Sequence, residues 1–576
     1  MEARTKTVAG KHDNRPVTMT GSGAVMESII AEGVGMIFGY PGGAIMPVYD
    51  ALYQVKDRLE HIFVRHEQGA VHAAQGYARV SGEVGVCLVT SGPGATNTVT
   101  GIADAMTDST PLVVISGQVA SPLLGTNAFQ ETNIVEITRP VTKWNCQVTR
   151  PEEIPEAISR AFCIARSGRP GPVLVDITKD AQIGTLTYDF NKPQGIKRIP
   201  DPYVDPLQIE EAARLINLAK KPMALVGQGV KLARAEKELL DFIEKTGIPA
   251  AQTLLGLSAL PSDHPLNVGL LGMHGNYGPN IKTNECDLII AIGMRFDDRV
   301  TSDTQRYATK AKVIHLEIDP SEINKIVYAD APVTGSVKDS LPMLTGMVGR
   351  NDHSKWVEEF RACYRIEYER LVERDVFPDR NVITMGEVVR NVSAAFNDDA
   401  IMVTDVGQHQ ITAWRYFRFR RPGSVVTSGG LGTMGFGLPA AIGAKLGKPD
   451  RPVVLFVGDG GFQMTIQELG TIFQYRIPVK IVLLNNSFLG MVRQWQEMFF
   501  EKRYSSTPMI NPDFQAIAGG YNIPSEKIEE RDSLDCAVKR MAEADGPFLL
   551  EVKVENERNV FPMIPPGGSV EDILLE

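Results

Sequence analysis

VVLFVGDGGFQM (Val453–Met464), an amphipathic stretch, and then VKIVLLNN (Val479–Asn486) decide how this chain is organised. Gly458-Asp459-Gly460 follows the apolar run Val453–Val457, and Asn485-Asn486 follow the run Val479–Leu484. Short apolar runs of this kind predict strands of a parallel sheet that is covered on both faces. Both polar clusters then lie at the carboxyl ends of strands, where open α/β sheets bind ligands. The Asp459 carboxylate and the Asn486 amide offer hard oxygen ligands, suited to a Mg²⁺ ion that also holds phosphate oxygens. Gly460 and Gly461 let backbone N–H groups approach the same anion. Taken singly, each cluster could be an ordinary strand-end turn.

The rest of the chain fits this frame. At 576 residues it is too long for one core, and about three domains is the natural division. A net charge of −10 argues against general nucleic-acid binding, which needs a basic face. The six cysteines lack CxxC spacing, so free thiols in a reducing, cytoplasmic setting are expected and a zinc site is not. No apolar run approaches the roughly 18 residues of a membrane span. The first 17 or so residues are polar and mixed in charge, without a signal-peptide core, and read as a disordered lead-in.

The predicted class is α/β, with three domains that are each a mainly parallel sheet flanked by helices. The first covers about 18–190, with a helix over Gly21–Gly33 and strands at Met36–Gly39, Gly85–Thr90, Leu112–Ser116 and Val173–Ile177. Helices over Gly69–Arg79 and Pro151–Arg166 alternate with them, as a parallel sheet requires. The Pro-rich segment Phe190–Leu207 reads as a linker. A second unit over 208–345 has strands Met223–Val226, Leu288–Ile292 and Val313–Ile318. Residues 346–375 read as a charged crossing helix with Trp356, Phe360 and Tyr364 at helical spacing. The third domain, 380–555, adds strands Ile401–Val403 and Phe548–Val552 to the two already named. The tail, 556–576, is rich in Pro and Gly and either hangs free or folds back.

Five strings occur in one order: HEQGA (His66–Ala70), TSGPGATN (Thr90–Asn97), GTMGFGLPAAIGA (Gly432–Ala444), VGDGGFQMTIQEL (Val457–Leu469) and LLNNSFLGMVRQWQ (Leu483–Gln496). The glycine turn Gly39–Ala44 precedes them. Together they resemble the thiamine-diphosphate-dependent enzymes. More closely, from about residue 18 to the end, they are similar to the catalytic large subunits of acetohydroxyacid synthases, also called acetolactate synthases. The resemblance implies decarboxylation of pyruvate and transfer of the two-carbon unit to pyruvate or 2-oxobutanoate, in branched-chain amino-acid biosynthesis. It implies thiamine diphosphate, Mg²⁺ and FAD as cofactors. It also implies a homodimer or dimer of dimers, and a small regulatory subunit.

Residue roles carry over on the matching positions. Glu67, at a strand-to-helix junction, could simply cap its helix; by resemblance it activates the cofactor's aminopyrimidine ring. Gly43 and Pro93 line that end. Met434 would prop the bent cofactor, although alone it reads as a core methionine. Asp459, Asn486 and the backbone carbonyl of Phe488 carry over as Mg²⁺ ligands, and Gly407, Gln408 and His409 as the diphosphate-contacting loop, with Gly460 and Gly461. Phe129 and Gln130 reach toward acceptor and flavin, and Lys179 matches an active-site lysine. Arg295 suits an acceptor carboxylate. Trp495, which can share a helix face with Met491, walls the acceptor pocket.

Gly293-Met294-Arg295-Phe296-Asp297-Asp298-Arg299-Val300 resembles the family's FAD-binding segment, with His274 in GMHG and Asp319 in HLEID. No GxGxxG fingerprint accompanies them; Val226-Gly227-Gln228-Gly229-Val230 is only partly similar. The implied FAD has no net redox duty. The RFDDRV string counts against flavin-free catabolic acetolactate synthases, and Glu67 against glyoxylate carboligases, which replace that glutamate. Pyruvate oxidase stays open as an alternative.

Overall fold

A computed structural model describes residues 16–191, 195 and 199–576. The expected lead-in falls largely outside these, as does part of the expected linker; Val17, however, already belongs to a strand. The chain divides into two compact units, Met1–Pro200 and Asp201–Glu576.

The first unit holds a six-stranded parallel sheet in the order Glu60–Phe63, Met36–Gly39, Gly85–Val89, Leu112–Gln118, Pro172–Thr178, Trp144–Val148. A small antiparallel pair, Val17–Thr20 with Thr185–Tyr188, ties together the ends of the unit. The inner strands Leu112–Gln118 and Pro172–Thr178 are buried at every residue, which is why they read as unbroken apolar runs. The edge strands Glu60–Phe63 and Trp144–Val148 are half-exposed and mixed in polarity, so they carry no such signal.

The second unit contains two more six-stranded parallel sheets. One runs Asn267–Leu270, Ala250–Gln252, Pro222–Val226, Leu288–Ile292, Lys312–Glu317, Ala331–Thr334. The other runs Val425–Val426, Ile401–Thr404, Val453–Gly458, Val479–Asn485, Phe548–Lys553, Ser525–Ile528. Helices on both faces bury their apolar sides against each sheet.

All three sheets share one device. The chain leaves a central strand toward one edge and then returns to the strand's other side. In the first sheet the reversal lies between Met36–Gly39 and Gly85–Val89; in the second, between Pro222–Val226 and Leu288–Ile292; in the third, between Ile401–Thr404 and Val453–Gly458. A crevice opens beyond the carboxyl ends at each reversal. The strand ends there carry, pair by pair, the glycine turn Gly39–Ala44 with Thr90–Asn97, Gly227–Gly229 with Gly293–Phe296, and Asp405–His409 with Gly458–Gly461.

The crossing helix is shorter and less regular than its sequence suggests. It spans Ser354–Glu367, passes through a π turn at Tyr368–Val372, and ends at Glu373–Val376. Trp356 and Phe360 are buried as expected, but Tyr364 is 51% exposed, and Cys363 and Glu367 continue the buried stripe. The face advances by 3 or 4 residues per turn, and the step after Phe360 is 3. The tail folds back: Ile564, Val570 and Ile573 pack into the core of the middle sheet with Ile289 and Trp356, and Ile564 N–H donates to the Met273 carbonyl at 2.9 Å. Four of the cysteines are buried thiols; Cys146 is half-buried and Cys536 exposed.

Candidate functional site

In the first unit, Glu67 opens the helix Glu67–Ser81. Capping is not its task. The His66 side chain caps the helix, its Nδ1 accepting from Gln68 N–H at 3.1 Å. The Glu67 carboxylate turns instead toward TSGPGATN, where Oε2 accepts from Asn97 Nδ2 at 2.9 Å. Gly94 keeps the approach open: a Cβ there would lie 3.4 Å from Glu67 Oε1 and 2.7 Å from Thr90 Cγ2. The glycine turn packs on the same string, with Ala44 N–H donating to Thr90 Oγ1 at 3.2 Å; a Cβ on Gly42 would strike Thr90, whereas one on Gly43 would meet nothing within 4 Å. Pro93 is exposed at the first position of Pro93–Thr96. Ser91 Oγ is buried without a hydrogen-bond partner.

Gln130 follows closely. Its backbone is left-handed (φ 61°), and a Cβ on Gly92 would come within 2.8 Å of its carbonyl. Glu131 braces the loop by accepting from the N–H groups of Gly125 and Ala128. Phe129 at the tip is 87% exposed. Lys179 is exposed at the start of Lys179–Ile183.

In the second unit, the third sheet gathers the other strings. Asp459 is 1% exposed, and its Oδ2 accepts from Asn511 Nδ2 at 2.6 Å. Burial raises its carboxyl above the ordinary range, opposed by that bond. Asn486, 4% exposed, donates from Nδ2 to Gln408 Oε1 at 3.3 Å, and its Oδ1 accepts from Phe488 N–H at 3.2 Å. Phe488 makes an antiparallel bridge with Pro508. Asp405, fully buried, accepts from Gly435 and Gly437 N–H at 3.1 and 2.8 Å. It thereby holds the turn that carries Met434, whose Cε would lie 3.7 Å from a Cβ on Gly460. Gly461 is confined by Asp405 Oδ1, 2.3 Å from its own hypothetical Cβ.

Gly407 has φ 144° and precedes the helix Gln408–Tyr416. The Gln408 side chain turns inward, its amide donating to Gln494 Oε1 and to the Arg558 carbonyl at 2.9 and 3.1 Å. His409 is 5% exposed with its Nε2 unpartnered; burial lowers its pKa to about 3, against the bond its ring donates to the Asp405 backbone carbonyl, so the ring is neutral. Trp495, half-buried, packs edge-on against Phe499 at 5.2 Å.

In the middle sheet, Gly293 (φ 58°) accepts at its carbonyl from Gly229 N–H at 2.8 Å. A Cβ on Gly227 would lie 2.2 Å from that carbonyl. The two glycine turns therefore touch backbone to backbone. Arg295 Nε lies 3.5 Å from Asp297 Oδ2, and the exposed Arg299 reaches Met273 Sδ at 3.1 Å. His274 Nδ1 bonds the Pro562 carbonyl at 3.0 Å; burial, opposed by that bond, lowers its pKa to about 4. Asp319 accepts from Ser321 N–H at 3.0 Å and so caps a short turn. His315 Nδ1 is buried without a partner.

Three matched families cover most of the chain: "Thiamine pyrophosphate enzyme, N-terminal TPP binding domain" over residues 19–137, the central domain of the same enzymes over 209–344, and their C-terminal TPP binding domain over 405–552. The acetolactate synthase isozyme 2 large subunit of Escherichia coli is 44% identical over 96% of this chain and 99% of its own length. The acetolactate synthase large subunit of Lactococcus lactis is 43% identical over 96% of each. Acetolactate synthase 2, chloroplastic, of Nicotiana tabacum is 42% identical over 96% of this chain and 85% of its own length.

The chain belongs to the acetolactate synthase large-subunit family. As such it is a thiamine-diphosphate enzyme, and the residues present fit that group. The unpartnered Ser91 Oγ and His409 Nε2 lie in the first and third crevices, and the space at Gly43 is open. A buried polar atom without a partner is uncommon enough to ask for a ligand. Among the described residues no three His, Cys, Asp or Glu side chains are grouped to hold a metal. Asp459 and Asn486, at the carboxyl ends of adjacent strands, offer oxygen donors of the kind a hard divalent cation takes.

Asn97, Asn511 and Gln494 were not singled out in the sequence. Asn97 closes the TSGPGATN string, and its amide was the available signal. Asn511 comes from an irregular loop 52 positions after Asp459, where nothing periodic marks it.

Proposed function

We propose that this chain is the catalytic subunit of an acetolactate synthase, decarboxylating pyruvate and joining the two-carbon unit to pyruvate or 2-oxobutanoate. The observation that carries this is Glu67, held by Asn97 at the first crevice with Oε1 turned toward Gly94. When bound, thiamine diphosphate supplies a carbon nucleophile and a sink for the electron pair released with carbon dioxide. Glu67 would hold the pyrimidine end of the cofactor and supply the carboxylate for proton exchange there, with Asn97 fixing its other oxygen. Met434 would support the cofactor between its two ends, and His409 would sit at the diphosphate end, its Nε2 unpartnered among the described residues. Asp459, Asn486 and the Phe488 carbonyl would hold a Mg²⁺ ion, which would supply charge for the diphosphate.

Arg295 receives the acceptor carboxylate, Trp495 walls its alkyl group, and Gln130 and Lys179 approach from the first unit of another protomer. The family resemblance supports holding of the cofactor's ring end and phosphate end by different chains, with a homodimer as the smallest active assembly. FAD belongs to the middle crevice, against Gly293, His274, Arg299 and Asp319, and the packed glycine turns support close approach of its diphosphate to backbone. It carries no net redox duty. The "large subunit" names of the relatives support a small regulatory partner. No helix among the described residues is long and apolar enough to cross a membrane, in keeping with a cytoplasmic enzyme.

Anaerobic incubation with pyruvate, alone and with 2-oxobutanoate, tests this. Acetolactate and 2-aceto-2-hydroxybutanoate are expected without any electron acceptor. Product formation that requires an oxidant would replace this function by a pyruvate oxidase.

A further inference from the structure

Gln494 is fully buried in the helix Gly490–Phe499. A buried amide must have its hydrogen bonds met, and those of Gln494 are met by the tail. Its Oε1 accepts from Val560 N–H at 2.9 Å and its Nε2 donates to the Val560 carbonyl at 3.0 Å. The same Oε1 accepts from Gln408 Nε2 at 2.9 Å. Gln408 Oε1 then accepts from Asn486 Nδ2.

Every direction in this series is fixed by the link before it. The Val560 backbone decides which end of Gln494 is oxygen. That oxygen, with the Arg558 carbonyl, decides which end of Gln408 is nitrogen. The remaining Gln408 oxygen takes the Asn486 amide nitrogen and, together with Phe488 N–H on Oδ1, sets where Asn486 Oδ1 points. Gly490 leaves room for the last link: a Cβ there would lie 2.2 Å from Gln408 Oε1 and 2.6 Å from Asn486 Nδ2.

The geometry points to Gln494 and Gln408 as positioning residues that orient the amide of Asn486 toward a divalent cation, with the Arg558–Val560 backbone as the fixed end. This rests on Asn486 being a Mg²⁺ ligand, as proposed above. Neither glutamine touches the cation. Each acts by preventing the Asn486 amide from flipping its nitrogen into the ligand position. Partners one shell out from a metal commonly change its affinity about 10- to 100-fold.

The test uses the full chain and isothermal calorimetry of Mg²⁺ binding at saturating thiamine diphosphate. Gln494→Met, close in volume, is expected to weaken Mg²⁺ about 10-fold, and to speed amide exchange at Val560. In the Asn486→Ala background it is expected to add nothing. Gly490→Ala attacks the opposite end of the relay and is expected to weaken Mg²⁺ while leaving Val560 exchange slow. It therefore stands in should Gln494→Met lose its fold by circular dichroism. Unchanged Mg²⁺ affinity in a folded variant, or an equal loss with and without Asn486, overturns the relay. If the parent protein takes up neither Mg²⁺ nor thiamine diphosphate, the proposed function itself fails, and the relay with it.

Discussion

The buried ion pair between Arg415 and Glu367 gives the sharpest quantitative expectation. The two side chains are 1% and 0% exposed and lie 2.5 Å apart. Arg415 ends the helix that begins with Gln408-His409, and Glu367 ends the buried stripe of the crossing helix. Burial alone would lower the guanidinium pKa, but the Glu367 charge and hydrogen bonds outweigh it and hold it above its usual value. The two partners are not equally supported. Glu367 also accepts from Asn276 Nδ2 and Tyr277 N–H at 2.8 and 2.7 Å, whereas Arg415 otherwise has long contacts to the His274 and Gly275 carbonyls, 3.4 and 3.3 Å, and lies 5.6 Å from the centroid of the Tyr416 ring. Removing one member of a buried pair costs about 3–5 kcal/mol. Glu367→Gln strands the poorly supported cation and also turns an N–H toward one of the former donors, so the loss should fall in the upper part of that range. Arg415→Met leaves Glu367 its two other donors and should lie near the lower end. The double variant removes both charges and should lose no more than the worse single one. Urea unfolding followed by tryptophan fluorescence reads this directly, since Trp414 and Trp356 sit on the two helices concerned. Losses below about 1 kcal/mol, the scale of an exposed pair, or singles that simply add, would refute the reasoning.

Glu67→Gln is expected to keep thiamine diphosphate binding while kcat falls about 10²–10⁴-fold; normal turnover in a steady-state assay removes Glu67 from the chemistry. Asp459→Ala removes a proposed ligand and should weaken Mg²⁺ by at least about tenfold; unchanged affinity in a metal titration excludes the proposed role. Trp495→Leu should lower the preference for 2-oxobutanoate over pyruvate by up to about tenfold, because one methylene is worth only ~1–3 kcal/mol; an unaltered product ratio places the acceptor elsewhere. Asp176 is fully buried and accepts from Ser116, Gln118 and Gln147; burial raises its pKa to about 6, against those three bonds. A folded pKa above the unfolded value of roughly 3.9 means that the stability Asp176 itself contributes is fully present below about pH 4 and is lost as pH rises through about 6. Asp176→Asn should remove that slope between about pH 4 and 6 in melting experiments, and a slope that persists assigns it to another group.

The inner strands were legible because both of their faces are buried, which leaves runs such as Val479–Leu484 with little but apolar residues. Edge strands such as Ser525–Ile528 face water on one side and carry charges, so no run or clean alternation announces them. Ala250–Gln252 is interior yet too short and small-sided to register. At the site, strand-end residues such as Asp459 and Asn486 were found because the chain marks the end of an apolar run with them. Asn511 and Gln494 act through contacts made by distant loops, and a sequence states no such distances. Gln408 shows the limit from the other side: its position beside His409 was legible, but not that its amide turns inward. Nor did His66 advertise that it, and not Glu67, caps the helix.

The tail's return to the middle sheet bears on how the chain is made. His274 and its partner Pro562 are 288 positions apart, and the apolar face between them stays uncovered until Ile564, Val570 and Ile573 leave the ribosome. At about 5–20 residues per second, translation leaves that face bare for roughly 15–60 s. The central strands are synthesised early and finished late, so their apolar face is open to aggregation during that interval.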